Sequence, residues 1–188
     1  MIDNAKNKTD IQNFFDNNDA TSVLLSFFSN PKQVDEDLMN EFLSFGISLL
    51  EGGNANIQRT IYNFCIHHLE SEVMFAKFHS MICEQIDYLQ FKVTIRSGSY
   101  KLRELELSHK LKSLIVEKLL RMLQLFTEGH NLDLQNYLRY QTSSRNRYNL
   151  VQTVTELLRA YDLNLVQGNY DNIIRCLDTL TEFVQVIH

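Results

Sequence analysis

Cys65-x2-His68 and His79-x3-Cys83 come nearer to chemistry than any other residues in this sequence. Each pair has the spacing of zinc ligands. The two pairs flank a bend near Glu70. On adjacent antiparallel helices, Cys65 and His68 lie within a turn of that bend, whereas His79 and Cys83 lie about 12–18 Å beyond it at the usual helical rise. The pairs are out of register, so the expectation is no metal. No other cofactor is expected.

The same residues fail as a cysteine–histidine nucleophile system, because no glycine-rich elbow surrounds Cys65, Cys83 or Cys176. Neither Gly52-Gly53 nor Ser97-Gly98-Ser99 makes a phosphate-binding loop, which needs a glycine-rich run after a strand. Asp35-Glu36-Asp37 suits the start of a helix, where carboxylates complement the dipole, and falls far short of a calcium loop. Core packing accounts for Cys65 and Cys176, and the Phe14/Phe15 and Phe27/Phe28 pairs are also assigned to the core, with an interface at an exposed solenoid end as the alternative. The expectation is a protein without catalysis.

Composition agrees. A net charge of −5 lacks the basic stripe that nucleic acid demands, so no nucleic-acid partner is expected. Three scattered cysteines suit a reducing compartment, where they pack as small apolar side chains. Met1 to Asp10 has no apolar core of the kind a secretory signal needs. Lys112, Glu117, Lys118 and Arg121 interrupt Leu111 to Phe126, the most apolar stretch, and a membrane span wants about 20 largely uncharged residues. No direct membrane insertion by these residues is expected.

What remains is the set of elements that would position such residues, and they read as helices. One proline and six glycines are too few for a turn-rich sheet protein. Ile11, Phe14 and Phe15, then Val23, Leu24, Phe27 and Phe28, make two short helical faces ended by Asn30-Pro31. Leu38, Phe42, Phe45 and Leu49 form the next face, stopping at Gly52-Gly53. Ile57, Ile61, Phe64 and Cys65 follow, then Val73, Phe75, Phe78, Ile82, Ile86 and Leu89. Phe91 to Arg96 alternates and is left between helix and strand, with a turn at 97–99. The longest helix runs from Leu102 to Phe126. Short helices over Leu132–Tyr140, Tyr148–Tyr161 and Asn172–Val186 complete an all-α chain, read as an armadillo-like stack of antiparallel helical hairpins.

An internal repeat supports the stack. Glu51-Gly52-Gly53-Asn54-Ala55-Asn56-Ile57-Gln58 recurs as Glu128-Gly129-His130-Asn131-Leu132-Asp133-Leu134-Gln135, about two armadillo-sized units of roughly 40 residues further on. Glycine takes the left-handed conformation that ends one helix, and asparagine caps the next. Gly168 to Ile173 is a weaker third echo. His130 and Asn131 are therefore expected to form a structural turn, with Gln135 and Arg139 on one face, bonding neighbouring helix ends.

The run Leu123 to Gln141 also resembles a signature of the inositol trisphosphate and ryanodine receptors, the intracellular calcium-release channels. In that family a helix ends in Glu-Asn/Gly-His-Asn, and the next reads Asp-x-Gln-Asn-Tyr/Phe-Leu-Arg-x-Gln. Here Glu128, Gly129, His130, Asn131, Asp133, Gln135, Asn136, Tyr137, Leu138, Arg139 and Gln141 fit that pattern. Leu49 to Gln58, with Gly52, Gly53, Asn54 and Gln58, is similar to the family's Leu-Leu-x-Gly-Gly-Asn opening. Tyr148-Asn149-Leu150-Val151 and Leu177 to Gln185 resemble two further elements, in the family's order. Family members usually continue into Gly-Pro-Cys where this chain reads Val186-Ile187-His188.

The resemblance implies a receptor-homology-associated helical domain over residues 34–188, preceded by a helical extension over 1–33. It also implies a segment that relays ligand-driven change toward a calcium-release pore without being a channel itself. Implied partners are neighbouring domains or subunits of a tetrameric channel. The implied location is the cytoplasmic face of the endoplasmic or sarcoplasmic reticulum. A free-standing solenoid adaptor that binds a protein partner is the competing expectation.

Overall fold

Apolar residues at helical spacing, punctuated by asparagine and aspartate caps, cut the chain into helices of very unequal length. The computed structural model describes residues 2–32, 34–94, 100–164 and 170–185, the side chains of 2–5 and 100–108 excepted. Every regular element among them is an α-helix. In order these are α1 (Ile2–Asn17), α2 (Ala20–Phe28), α3 (Glu36–Leu50), α4 (Ala55–His67) and α5 (Ser71–Thr94), then α6 (Tyr100–Thr127), α7 (Leu132–Arg139), α8 (Leu150–Leu163) and α9 (Tyr170–Val184).

The starts are set by side chains that accept orphan amides. Asp35 accepts from the Asp37 and Leu38 amides at the head of α3. Asn54, Asn131 and Asn149 do the same for α4, α7 and α8. Residues in the left-handed region separate α3 from α4 and α6 from α7. Gly52 and Gly53 have φ of 91° and 69°, Gly129 has 79°, and His130, carrying a Cβ, has 64°.

The helices stack in three tiers of three. α3 packs on α6 and α6 on α9; α5 lies between α2 and α8; α4 lies between α1 and α7. α3 and α6 run in the same direction, with Lys118 Nζ donating to Ser44 Oγ at 2.6 Å and Arg121 meeting Glu51 at 2.9 Å. Within the second tier α5 and α6 are antiparallel, Ser113 facing Gln85 and His109 stacking on Tyr88. The recurrence from Glu51 to Glu128 therefore spans one tier, α4–α6, rather than two armadillo-sized units. The 24 residues of α5 and 28 of α6 account for the extra length.

One continuous core runs through all tiers, from Leu24 and Phe28 through Phe78, Leu119 and Phe126 to Phe183. Two sequence expectations about it are corrected. α3 turns Met39, Leu43, Gly46, Leu49 and Leu50 inward, leaving Leu38 and Phe45 exposed. Asp37, Asn40, Glu41, Ser44 and Ser48 make one polar side of the helix. Leu38 and Phe45 lie at the edge of the broad apolar arc that remains, and Gly46, without a Cβ, lies within that arc where α6 approaches. A Cβ at Gly46 would lie 2.8 Å from Met122 Sδ. Phe14 and Phe15 are 63% and 44% exposed rather than core, because α1 lies on the outside of the first tier. Phe28 is buried against Phe78, while Phe27 is half-buried and stacks on Phe42.

Phe91 to Thr94 is the last turn of α5. The remainder of that uncertain stretch, the turn at 97–99, the junction at 165–169 and residues 186–188 lie outside the described residues. Among the described residues no helix is long and apolar enough to cross a membrane.

Candidate functional site

Glutamine is a poor core residue unless its amide is fully used, so three buried glutamines at one edge of the stack define the site to consider. Gln12, Gln58 and Gln135 are 4%, 3% and 2% exposed. Each comes from the first helix of its tier and points at the carboxyl end of that tier's third helix. Gln12 Nε2 donates to the Ser48 and Glu51 carbonyls at 2.9 and 3.0 Å. Gln58 Nε2 donates to those of Leu125 and Glu128 at 2.9 and 2.8 Å. Gln135 Nε2 donates to those of Glu182 and Gln185 at 2.8 and 2.9 Å. The last four carbonyls of a helix have no partner within it, and each glutamine serves one of them together with the carbonyl of the residue just after the helix.

The glutamine oxygens link the tiers. Asn54 Nδ2 donates to Gln12 Oε1 at 3.1 Å, and Asn131 Nδ2 donates to Gln58 Oε1 at 3.0 Å. The other atom of each asparagine amide caps its helix, since Asn54 Oδ1 accepts from Asn56 and Asn131 Oδ1 from Leu134. A single asparagine thus fixes both the start of its helix and its distance from the tier before. Asn54 also donates to Asn13 Oδ1 at 3.1 Å.

Charges brace the same edge. Arg121 reaches Glu51 at 2.9 Å and Glu128 at 3.8 Å, tying the ends of α3 and α6. Arg139, on the same face of α7 as Gln135, donates to the Phe183 carbonyl at 2.9 Å. Burial, with the neighbouring Glu128 carboxylate adding to it, raises the Glu182 carboxyl above its ordinary range.

The remaining motif residues divide by task. Gly52, Gly53, Gly129 and His130 form the left-handed turns. A Cβ on Gly53 would stand 3.3 Å from both Cγ and the carbonyl of Glu128, so the two turns touch. Asp133 lies exposed in the first turn of α7, and Leu138 is fully buried. Tyr137 Oη donates to the Cys65 carbonyl at 2.6 Å and meets Ser143 Oγ at 2.7 Å. Gln141 folds the loop before α8, donating to the Tyr137 and Tyr148 carbonyls and accepting from the Tyr148 amide. Asn136 is exposed, its backbone carbonyl accepting from the Tyr140 amide.

Gln12, Arg121 and Glu182 belong to this arrangement and were not singled out from sequence. Gln12 sits mid-helix in α1 without a glycine–asparagine turn before it. Its neighbours Lys8, Thr9, Asn13 and Asp16 are polar, so the sequence around it gives no signal of burial.

The thiols stand apart from the ladder. Burial pushes Cys65 and Cys176 up to about 12, so both are protonated at neutral pH. Cys83 Sγ lies 3.6 Å from His79 Nε2, one turn away on α5. His68 stacks on Phe64. Among the described residues no three His, Cys, Asp or Glu side chains gather as a metal site would require.

Tiers of helices closed by glutamines and joined by asparagines make this an α-solenoid. Residues 110–187 match the family described as RyR and IP3R Homology associated. The match runs from within α6 through the third tier. The same ladder geometry extends upstream of it, through Asn54 and Gln58 to Gln12.

Proposed function

We propose that this chain is a non-catalytic scaffold segment of a calcium-release channel of the inositol trisphosphate or ryanodine receptor kind. Its role is to relay ligand-driven displacement toward the pore. In this reading it lies on the cytoplasmic face of the endoplasmic or sarcoplasmic reticulum, against neighbouring domains or subunits of a tetramer. Residues 34–188 act as the receptor-homology-associated domain, and the extension over 1–33 supplies α1 and α2 to the first tier.

The observation that carries the reading is the asparagine–glutamine ladder. Each tier grips the carboxyl end of its own third helix, and the first two tiers also hold the amino end of the next tier's first helix. A push on one tier then moves the next as a body, because helix ends joined by buried hydrogen bonds cannot slide without leaving polar groups unpaired.

The test is calcium release from the channel that carries this segment, with ligand binding measured on the same preparation. Gln58→Leu should uncouple the two, lowering release while the distant ligand site keeps its affinity. Unchanged release in a folded Gln58→Leu channel would refute the relay. The adaptor reading is favoured by one observation, the exposed apolar side chains on α1 and α9. An open reading frame without hydrophobic spans downstream would decide for it.

A further inference from the structure

The ladder supplies a register for comparing the tiers. Aligning the carbonyls that each glutamine binds places Ser48, Leu125 and Glu182 in one row, and Glu51, Glu128 and Gln185 in another. In that register Leu43, Leu120 and Leu177 are equivalent, as are Leu50, Thr127 and Val184. In α3 and α6 these positions are closed, with Leu43 and Leu50 at 0%, Leu120 at 2% and Thr127 at 0% exposure. In α9 they are open, with Leu177 at 48% and Val184 at 52%. Ile174 extends the same stripe at helical spacing, one turn before Leu177.

The polar rung opens at the same place. Gln12 Oε1 and Gln58 Oε1 each accept from the cap asparagine of the following tier. Gln135 Oε1 has no donor among the described residues, although its amide is bound like the other two. An apolar stripe and an amide acceptor, both occupied twice within the chain, are thus presented once more on the outer face of the third tier.

We infer that this face, formed by α9 and Gln135, docks a further helical tier whose first helix opens on an asparagine cap. The asparagine side chain donates to Gln135 Oε1, and the tier's third helix covers Ile174, Leu177 and Val184. The inference rests on continuity with the two interfaces already built into the chain. The occupant is not a second copy joined head to tail. In the second and third tiers the capping asparagine lies four residues before the glutamine, and in the first tier that place is Lys8, inside α1. Neither calcium release nor any ligand enters the argument, so it stands or falls separately from the proposed function.

A direct test appends to Gln185 a copy of residues 129–185, which begins with the turn and cap that the second tier already accepts. The full chain with this fourth tier should melt in one cooperative transition, raised by at least about 5 °C over the unextended chain. Leu177→Lys should abolish that rise while leaving the unextended chain unchanged, since Leu177 is exposed there. Serine in place of the appended cap asparagine keeps a helix cap but cannot reach Gln135, so it should lose part of the rise. Two separate transitions, or a rise indifferent to Leu177→Lys, would overturn the inference. Concentration-dependent self-association of the unextended chain, abolished by Leu177→Lys, would also overturn it by making a second copy the occupant.

Discussion

Asn131 Nδ2 lies 3.0 Å from Gln58 Oε1 while Asn131 Oδ1 accepts the Leu134 amide, so one side chain is both helix cap and inter-tier tie. A cap alone would make serine or aspartate equivalent at this position. The second bond removes that equivalence, because neither replacement carries an amide donor.

Asn131→Ala should therefore cost more than the about 0.5–2 kcal/mol of an ordinary lost cap. Gln58 Oε1 loses its donor as well, adding about 1–3 kcal/mol where the site stays dry. Asn131→Ser should fall between alanine and wild type. Asn131→Asp should resemble serine or be worse, since its carboxylate faces the Gln58 oxygen. Chemical denaturation of the four proteins gives the order. Serine and aspartate both equal to wild type would show that the tie contributes nothing.

At Gln58 the expected effect is larger. Leucine is similar in size but leaves the Leu125 and Glu128 carbonyls and the Asn131 amide without partners. At about 1–3 kcal/mol for each buried group left unsatisfied, Gln58→Leu should be among the most destabilising single changes in the chain. Amide exchange should show the loss concentrated at the junction of the second and third tiers.

Gly53 and His130 occupy the same place in successive turns, with φ of 69° and 64°. A side chain in this region costs about 1–2 kcal/mol, so Gly53→Ala should destabilise by at least that much. Contact with Glu128 adds to the cost. His130→Gly relieves the same strain and should leave thermal stability unchanged or raise it slightly. Equal losses for the two variants would contradict this account of the turns.

Two carboxylates should give opposite pH profiles. Burial and Glu128 raise Glu182, so the folded protein holds its proton more tightly than the unfolded chain does. Its contribution is favourable at low pH and is lost as pH rises through the folded value. Glu182→Gln should thus gain on wild type as pH rises from the ordinary carboxylate range toward neutrality.

Glu72 shows the reverse. The Arg145 amide leads in lowering it, and Asn146 adds its amide and side chain. Its contribution is present above the unfolded carboxylate value and lost as pH falls through the folded one. Glu72→Gln should therefore destabilise at neutral pH and converge on wild type in acid. Melting curves of both variants from acid to neutral pH check the signs.

Helices and their turns were legible in the sequence because their causes are local. Asparagine after a left-handed turn caps a helix wherever it occurs, and Gln135 and Arg139, four residues apart, share a face of any helix. The resemblance to calcium-release channels was legible for the same reason, being carried by the short run Leu123 to Gln141. Which part of the apolar arc of α3 is buried was harder to read, since that arc covers more than half of the helix and the approach of α6 to Gly46 selects the part that closes. Phe14 and Phe15 could not be separated from Phe28 by residue type, because exposure depends on which neighbours a helix finds. Gln12 joined the ladder only through the fold. Its partners Ser48, Glu51 and Asn54 lie 36 to 42 residues away, and nothing in the local pattern of α1 records that distance.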